Sequence, residues 1–239
     1  MKNIYIMSDL HGQDKAFFQM LERIKFSSKD FLFIIGDVGD RGPNGIMLLQ
    51  YIMKQENMCL LMGNHEEMML DAVEHKDDDK SYMSNWMFNG GGTTLEGLEK
   101  LSEQEREECL EYVKDLPLYQ KIVMNQTTYL LVHAGIIPTE DKKDLAHAKV
   151  TKDELLWTRY EFLQSDIIMP YCIIFGHTPT PALPRYAKGL SIENQIRCKE
   201  GKMIHWKNRI AIDCGAGFGK KLGCLRLNDM LEFYISIKN

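Results

Sequence analysis

Short apolar runs punctuate the chain, and a polar, turn-forming cluster ends each one. Ile4 to Met7, Phe31 to Ile35, Met58 to Met62, Tyr129 to Val132 and Tyr171 to Phe175 are nearly uninterrupted aliphatic and aromatic stretches. Runs this short, bounded by turn residues, read as buried strands rather than helices. Helical periodicity fills the gaps between the first three. A helix is predicted from about Asp14 to Ile24 with Phe17, Phe18, Leu21 and Ile24 on one face. Another lies near 44–55 bearing Ile46, Leu48, Leu49 and Ile52, and a third starts at His65. With strands at 3–8, 31–35 and 58–62, this alternation predicts a parallel sheet covered on both faces.

Lys76-Asp77-Asp78-Asp79-Lys80 is a solvated break, after which 81–115 reads as helical. Gly90-Gly91-Gly92 interrupts that stretch, and Ser102 caps a highly charged helix. The second half changes character. Segments 119–124 and 128–133 form a hairpin around Asn125-Gln126-Thr127, and Thr151-Lys152-Asp153-Glu154 is a capping box. Strands are predicted at 171–176, 203–206, 209–213, 222–227 and 231–237, the last two joined by Asn228-Asp229. No repeat, linker or low-complexity tract divides the chain, so one α/β domain with two sheets over 1–239 is the simplest account.

Composition narrows the functional classes. At 239 residues, 44% hydrophobic and 26% charged, the chain can bury a substantial core. A net charge of -5 argues against duplex nucleic acid or a membrane surface as a partner, so a phosphate-bearing substrate needs local cations or metals. The N-terminus turns polar by Ser8-Asp9, too early for a signal-peptide core, and no apolar stretch approaches the roughly 18 residues that span a bilayer. Cys59, Cys109, Cys172, Cys198, Cys214 and Cys224 form no C-x-x-C pair. They read as buried, reduced thiols, which points to the cytoplasm.

The candidate chemistry sits where the apolar runs end: Asp9-Leu10-His11, Gly36-Asp37-Val38-Gly39-Asp40-Arg41-Gly42, Gly63-Asn64-His65-Glu66, His133 and Gly176-His177. Strand ends of open α/β sheets are where ligands collect. Asp9 and His11, two apart on extended chain, would face the same side and bind one ion together. Asp37 could bridge two ions, and Asn64, His133 and His177 would complete the second site. Mixed oxygen and imidazole ligation suits manganese, iron or zinc better than calcium. Two such ions about 3.5–4 Å apart can clamp a phosphoryl group and activate a bridging water. Each piece also has an ordinary reading. Asn64 could cap a helix from His65 with Glu67 as the returning acid, and His133 and His177 could be hydrogen-bonded core histidines. Five clusters in this order favour the metal site.

The motifs D-x-H, G-D-x-x-D-R-G, G-N-H-E and two later histidines resemble the phosphoprotein phosphatase branch of the metallophosphoesterases. Trp157-Thr158-Arg159, Gly176-His177-Thr178-Pro179 and Ile212-Asp213-Cys214-Gly215-Ala216 extend the likeness. Trp86 with Asn89-Gly90-Gly91 and Thr94 is similar to its bacterial members, and the resemblance covers residue 3 to about 227. It implies an α/β/β/α sandwich of two mixed sheets. One metal would be held by Asp9, His11 and Asp37, and the other by Asp37, Asn64, His133 and His177. Arg41 and Arg159 would grip phosphate oxygens, to which planar guanidinium groups are well matched. His65, paired with Asp40, would protonate the leaving oxygen.

The implied reaction is direct hydrolysis, a metal-bridging hydroxide attacking phosphorus in line. The substrate expected first is a phosphomonoester on protein serine or threonine; a diadenosine-tetraphosphate hydrolase shares the same motifs. Broader phosphodiesterases end in G-H-x-H, whereas position 179 is Pro. A metal-bound binding module without catalysis would have lost the proton donor or clamp, yet His65, Asp40 and Arg41 are present. Segments 77–118 and 183–208 match the family core least and are expected to form a substrate-selecting rim. Regulatory-subunit surfaces are not recognisable. His75, His147 and His205 receive no role, Met68-Met69 reads as helix packing, and Asp213 as loop support.

Overall fold

The computed structural model describes residues 2–144 and 148–237, so His147 lies outside the described residues. The first half runs β1 (Ile4–Met7), α1 (Asp14–Arg23), β2 (Phe31–Ile35), α2 (Gly45–Ile52), β3 (Met58–Leu61) and α3 (Asn64–Glu74). Three shorter helices follow where one interrupted stretch was expected: α4 (Lys80–Phe88), α5 (Gly92–Glu99) and α6 (Glu103–Lys114). Asp79 caps α4, and a Ser102–Glu105 capping box starts α6.

The second half runs β4 (Tyr119–Met124), β5 (Thr127–Val132), α7 (Lys152–Trp157), α8 (Tyr160–Leu163), β6 (Cys172–Phe175), α9 (Ile192–Lys199), β7 (Ile204–Trp206), β8 (Arg209–Ala211), β9 (Lys221–Arg226) and β10 (Leu231–Ser236). Asn125 and Gln126, both left-handed, make a two-residue hairpin turn between β4 and β5. The capping box expected at Thr151 is only half made. Thr151 Oγ1 accepts the Glu154 N–H, but the Glu154 carboxylate turns away to Lys142 Nζ at 2.6 Å and the Ile137 N–H at 2.5 Å. A buried lysine is the stronger claimant on that charge.

The strands form two five-stranded sheets, ordered β10-β9-β1-β2-β3 and β4-β5-β6-β8-β7. β1, β2 and β3 are parallel, while β9 joins β1 antiparallel, so the first sheet is mixed. Helices lie on one of its faces and the second sheet on the other, the α/β/β/α sandwich of two mixed sheets that the resemblance implied, where the strand-helix alternation alone suggested a purely parallel sheet. Alternation along each strand divides the layers. Tyr5 and Met7 of β1 pack with Phe17, Met20, Leu48, Met68 and Trp86 on the helical side, whereas Ile6 packs with Leu131, Ile174 and Leu225 between the sheets. Leu130 and Val132 of β5 face a third layer with Phe162 and Leu163. Both faces of the central strands are therefore dry, which is why their sequences show no polar alternation.

Helix α1 turns slightly from its expected face. Met20 is fully buried, while Phe18 is 37% exposed and packs against the Tyr51 ring. Met68 and Met69 are buried in the helix layer. No helix among the described residues is long and apolar enough to cross a membrane.

Candidate active site

Beyond their last paired residues, β1 and β2 stay in step through their loops. Asp9 N–H donates to Gly36 O at 3.1 Å, His11 N–H to Asp37 O at 2.9 Å, and Gly12 N–H to Val38 O at 2.8 Å. The backbone carrying the candidate residues is left-handed: φ is 53° at Asp9, 43° at His11, 57° at Asp37, 65° at Asp40, 64° at Arg41 and 63° at His177. Non-glycine residues in this region cost about 1–3 kcal/mol each and gather at functional sites. Asp9 and His11 are thus not on extended chain, and the alternation that placed both on one side does not apply. The turn still buries both, with His11 Nε2 3.6 Å from Asp37 Oδ2.

Asp37 is the hub. Its Oδ2 faces His11 Nε2, while its Oδ1 lies 3.4 Å from His133 Nε2 and accepts the His65 N–H at 3.1 Å. Asn64 Oδ1 is 2.8 Å from His133 Nε2 and 2.9 Å from His177 Nδ1. The His177 N–H points to both oxygens of Asp9 at 3.1 and 3.2 Å, and Ser8 hydrogen-bonds the same carboxylate. The five strand-end clusters therefore converge on one buried place, drawing Asp9, His11, Asp37 and Asn64 from the first sheet and His133 and His177 from the second.

Asn64 does not cap a helix. Helix α3 begins at Asn64 itself, one residue earlier than expected, and its N-cap is Gly63. The returning acid is Glu66 rather than Glu67. Glu66 accepts the N–H groups of Gly63 at 2.9 Å, Asp37 at 2.8 Å and Val38 at 2.8 Å. One carboxylate thus fixes the β2 loop and the β3 loop together. A Cβ on Gly63 would overlap Asp37 Oδ1, so the hub is also why that position is glycine.

His65 Nδ1 lies 2.6 Å from Asp40 Oδ2. The same carboxylate accepts the Trp86 indole N–H at 2.9 Å and the Thr94 hydroxyl at 2.6 Å, while Thr94 Oγ1 accepts the Asp40 N–H at 2.7 Å. Trp86 and Thr94 belong to the segment expected to form a rim; both are fully buried and brace Asp40 from behind. Arg41 presents one guanidinium nitrogen to His11 Nε2 at 2.7 Å and another to His65 Nε2 at 2.9 Å. Its own N–H is held by Gly90 O at 2.9 Å. Arg159, half-buried before α8, is close enough to oppose protonation of both His133 and His177. Asp213 accepts the Gly215 N–H at 2.8 Å, in keeping with loop support. His205 pairs with Glu232 at 2.9 Å and His75 stacks on Tyr82, both away from this centre.

Burial sets the charge balance. It pushes Asp9 well above the ordinary carboxylate value and raises Asp213 and Glu66 to about 7 each. Burial alone would raise Asp37 as well, but the imidazoles of His133, His65 and His11 hold it well below the usual range. Desolvation pushes His11, His133 and His177 down, towards the neutral form that a metal requires. His65 goes the other way: burial opposes its charge, but Asp37 and Asp40 outweigh burial and raise it.

The donor set fits divalent cations. Ile35 O lies 2.9 Å from His133 Nδ1 and Gly39 O 2.9 Å from His11 Nδ1, so each ring donates there and turns its Nε2 lone pair towards the centre, that of His11 facing the Arg41 guanidinium at 2.7 Å. His133 Nε2, Asn64 Oδ1 and Asp37 Oδ1 then face one another as acceptors, an arrangement that a cation satisfies. Ligand atoms of Asp9, Asp37 and His133 lie within 4.8 Å of one another, as do those of His11, Asp37 and His65. Asp37 is common to both groups. Asp9 falls with His133 rather than with His11, where the Arg41 guanidinium lies instead. A cleft of about 810 Å³ lies elsewhere, lined by Gln13, Pro43 and Ile237 and by none of these candidate residues.

With this geometry in place, comparison with known proteins defines the class. The chain belongs to the calcineurin-like phosphoesterase family, whose profile matches residues 2–206, and it is a metallophosphoesterase hydrolase. It is 27% identical over 204 residues to serine/threonine-protein phosphatase 2 of Salmonella typhimurium, covering 82% of this chain and 89% of that protein. It is 31% identical over 137 residues to the symmetrical bis(5'-nucleosyl)-tetraphosphatase of Acidovorax sp., covering 56% of this chain but only 44% of that protein. A solved structure provisionally described as a diadenosine tetraphosphatase shares the fold, with a TM-score of 0.66 at 16% identity over 99% of this chain and 94% of that one.

The site's second layer was less visible in the sequence than its ligands. Glu66, Trp86 and Thr94 lie inside motifs that carry the family likeness, but their contacts were not foreseen. Placing the start of α3 at Asn64 would have put Glu66 three residues after Gly63, where a returning acid belongs.

Proposed function

We propose that the protein is a two-metal phosphatase whose substrate is a phosphomonoester on protein serine or threonine. The observation that carries the metal chemistry is Asp37, one buried carboxylate with an oxygen turned to each of two donor groups. Asp37 would serve both ions, one held with His11 and Asp9 and the other with Asn64, His133 and His177, Asp9 lying here in the group of Asp37 and His133. Two divalent cations held there, manganese first and iron or zinc next, would supply an activated water and neutralise charge on the phosphoryl oxygens.

The chain's own groups do the rest. Arg41 and Arg159 grip and orient phosphate oxygens, with fork geometry suited to a trigonal face. With the Arg41 guanidinium turned from His65 Nε2 to the phosphate, that nitrogen carries the proton to the leaving oxygen, and Asp40 accepts from Nδ1 and stabilises the imidazolium. Trp86 and Thr94 keep Asp40 turned towards His65. Segments 77–118 and 183–208 flank the site as its rim, in a single domain, and a cytoplasmic location accords with six free thiols.

The phosphoprotein reading is supported by the length of the alignment: the Salmonella phosphatase aligns over 89% of its length, the Acidovorax tetraphosphatase over 44%. Hydrolysis of dinucleoside polyphosphates is the second reading, favoured by the name and identity of that Acidovorax relative. The test is kcat/KM for a phosphoserine peptide against diadenosine tetraphosphate with manganese present. A higher value for the dinucleotide would reverse the order of the two readings.

A further inference from the structure

Beside Arg159 lies a pocket of about 410 Å³ whose walls include Thr178, Pro179, Arg185, Tyr186, Phe218 and Lys220. It adjoins the reaction centre directly. Thr178 follows His177, and Gly215, which also lines it, is two residues from Asp213. Three of its side chains are cationic in a chain whose net charge is -5. Ion pairs occupy many lysines and arginines of this protein, including Lys188, Arg197 and Arg226 nearby in sequence. No acidic side chain among the described residues pairs with Arg159, Arg185 or Lys220. Unpaired cations gathered around one cavity raise its potential and attract anions.

The rings in the pocket are already engaged on one face. The Arg159 guanidinium stands 5.9 Å from the Tyr186 centroid, with Tyr160 edge-on to the same ring, and Arg41 stands 4.6 Å from the Phe218 centroid. These contacts tie the two phosphate-gripping arginines to the pocket wall. What the pocket leaves unmet is negative charge on Arg185 and Lys220.

We propose that this pocket binds a second anionic group of the substrate, an acidic or phosphorylated side chain a few residues from the phosphoresidue being hydrolysed. The assignment rests on the phosphoprotein reading above and adds a preference to it. The enzyme selects acidic phosphopeptides. An extended peptide advances about 3.3 Å per residue, so a neighbour two to four positions away spans about 7–13 Å, enough to leave the reaction centre for an adjoining pocket.

The test compares kcat/KM for two phosphoserine peptides that differ only in neighbouring residues, aspartates in one and alanines in the other. Wild type with manganese is expected to favour the acidic peptide roughly tenfold, the worth of one charge-assisted contact, and the ratio should shrink with added salt. Arg185→Gln and Lys220→Gln should each bring the ratio towards one, and Lys188→Gln, outside the pocket, should leave it unchanged. A wild-type ratio near one, or a ratio indifferent to Arg185→Gln and Lys220→Gln, overturns the assignment while leaving the phosphoprotein reading intact. Turnover of p-nitrophenyl phosphate with hydrolysis of neither peptide overturns the phosphoprotein reading, and the pocket's role with it. If the two substitutions instead depress only diadenosine tetraphosphate hydrolysis, the pocket serves a nucleotide and the assignment is wrong.

Discussion

Asp40 Oδ2 lies 2.6 Å from His65 Nδ1, and the carboxylate making that contact is clamped from behind by Trp86 and Thr94. In the proposed reaction, the clamp would fix which imidazole nitrogen faces the leaving oxygen and hold the Asp40 carboxylate beside it. Trp86→Phe and Thr94→Val each preserve shape while deleting one donor to Asp40. Turnover in either variant should fall roughly tenfold, the worth of a hydrogen bond to a charged group, with little change in KM. The alkaline limb of the kcat profile, where a proton-donating His65 loses its proton, should move as well. Unaltered turnover and profile in both variants would show that the clamp is only packing.

His65→Asn probes the proton donor itself. Its turnover should drop by about 10²–10⁴, the usual contribution of a positioned acid, while elemental analysis still finds both metals. Loss of the ions together with activity would make His65 a ligand instead.

For Asp37→Asn the two readouts should move together. An amide has one oxygen to offer where the carboxylate has two, so metal content and activity should both collapse. Retained activity would refute a bridging role.

Much of this centre was legible in the sequence, and the parts that were not share a cause. β1, β2 and β3 were readable because strands dry on both faces are continuously apolar, so Asp9, Asp37 and Asn64 could be set at their ends. Local periodicity says nothing about φ, so the left-handed turns at Asp9 and His11 were invisible. The link from Trp86 to Asp40 spans 46 residues through one indole N–H forked to both carboxylate oxygens, which leaves no periodic trace. Thr151 followed by Glu154 fitted a capping box until Lys142, twelve residues upstream, competed for the acid. The second covering of the first sheet came from distant strands, which an early β-α alternation cannot report.

Glu66 should matter to stability more than its position beside a reactive histidine implies. Glu66→Ala would strand three buried backbone N–H groups, at about 1–3 kcal/mol each, so unfolding in urea should show a loss of about 3 kcal/mol or more. A loss under about 1 kcal/mol would mean that the loops hold without it.

Glu232 gives stability a defined dependence on acid. Burial would raise its pKa, but hydrogen bonds from His205, Tyr234 and Arg197 lower it from 4.5 to about 2. A carboxylate depressed in the native state stabilises fully above its unfolded value and loses that contribution as pH falls towards its folded value. The stability difference between wild type and Glu232→Gln should therefore be complete at neutral pH and narrow from about 4.5 downwards. Urea unfolding across that range measures it, and a gap that widened with acid would contradict the assignment.

The donors around Asp37 come from strands of both sheets, and what holds those sheets in register is hydrocarbon: Ile6, Leu131, Ile174 and Leu225. If these donors act as proposed, their alignment is inherited from an oily seam of side chains that are not among them. A methyl group lost at Ile174 would therefore act at a distance, shifting one half of the ligand set against the other without altering any of the six.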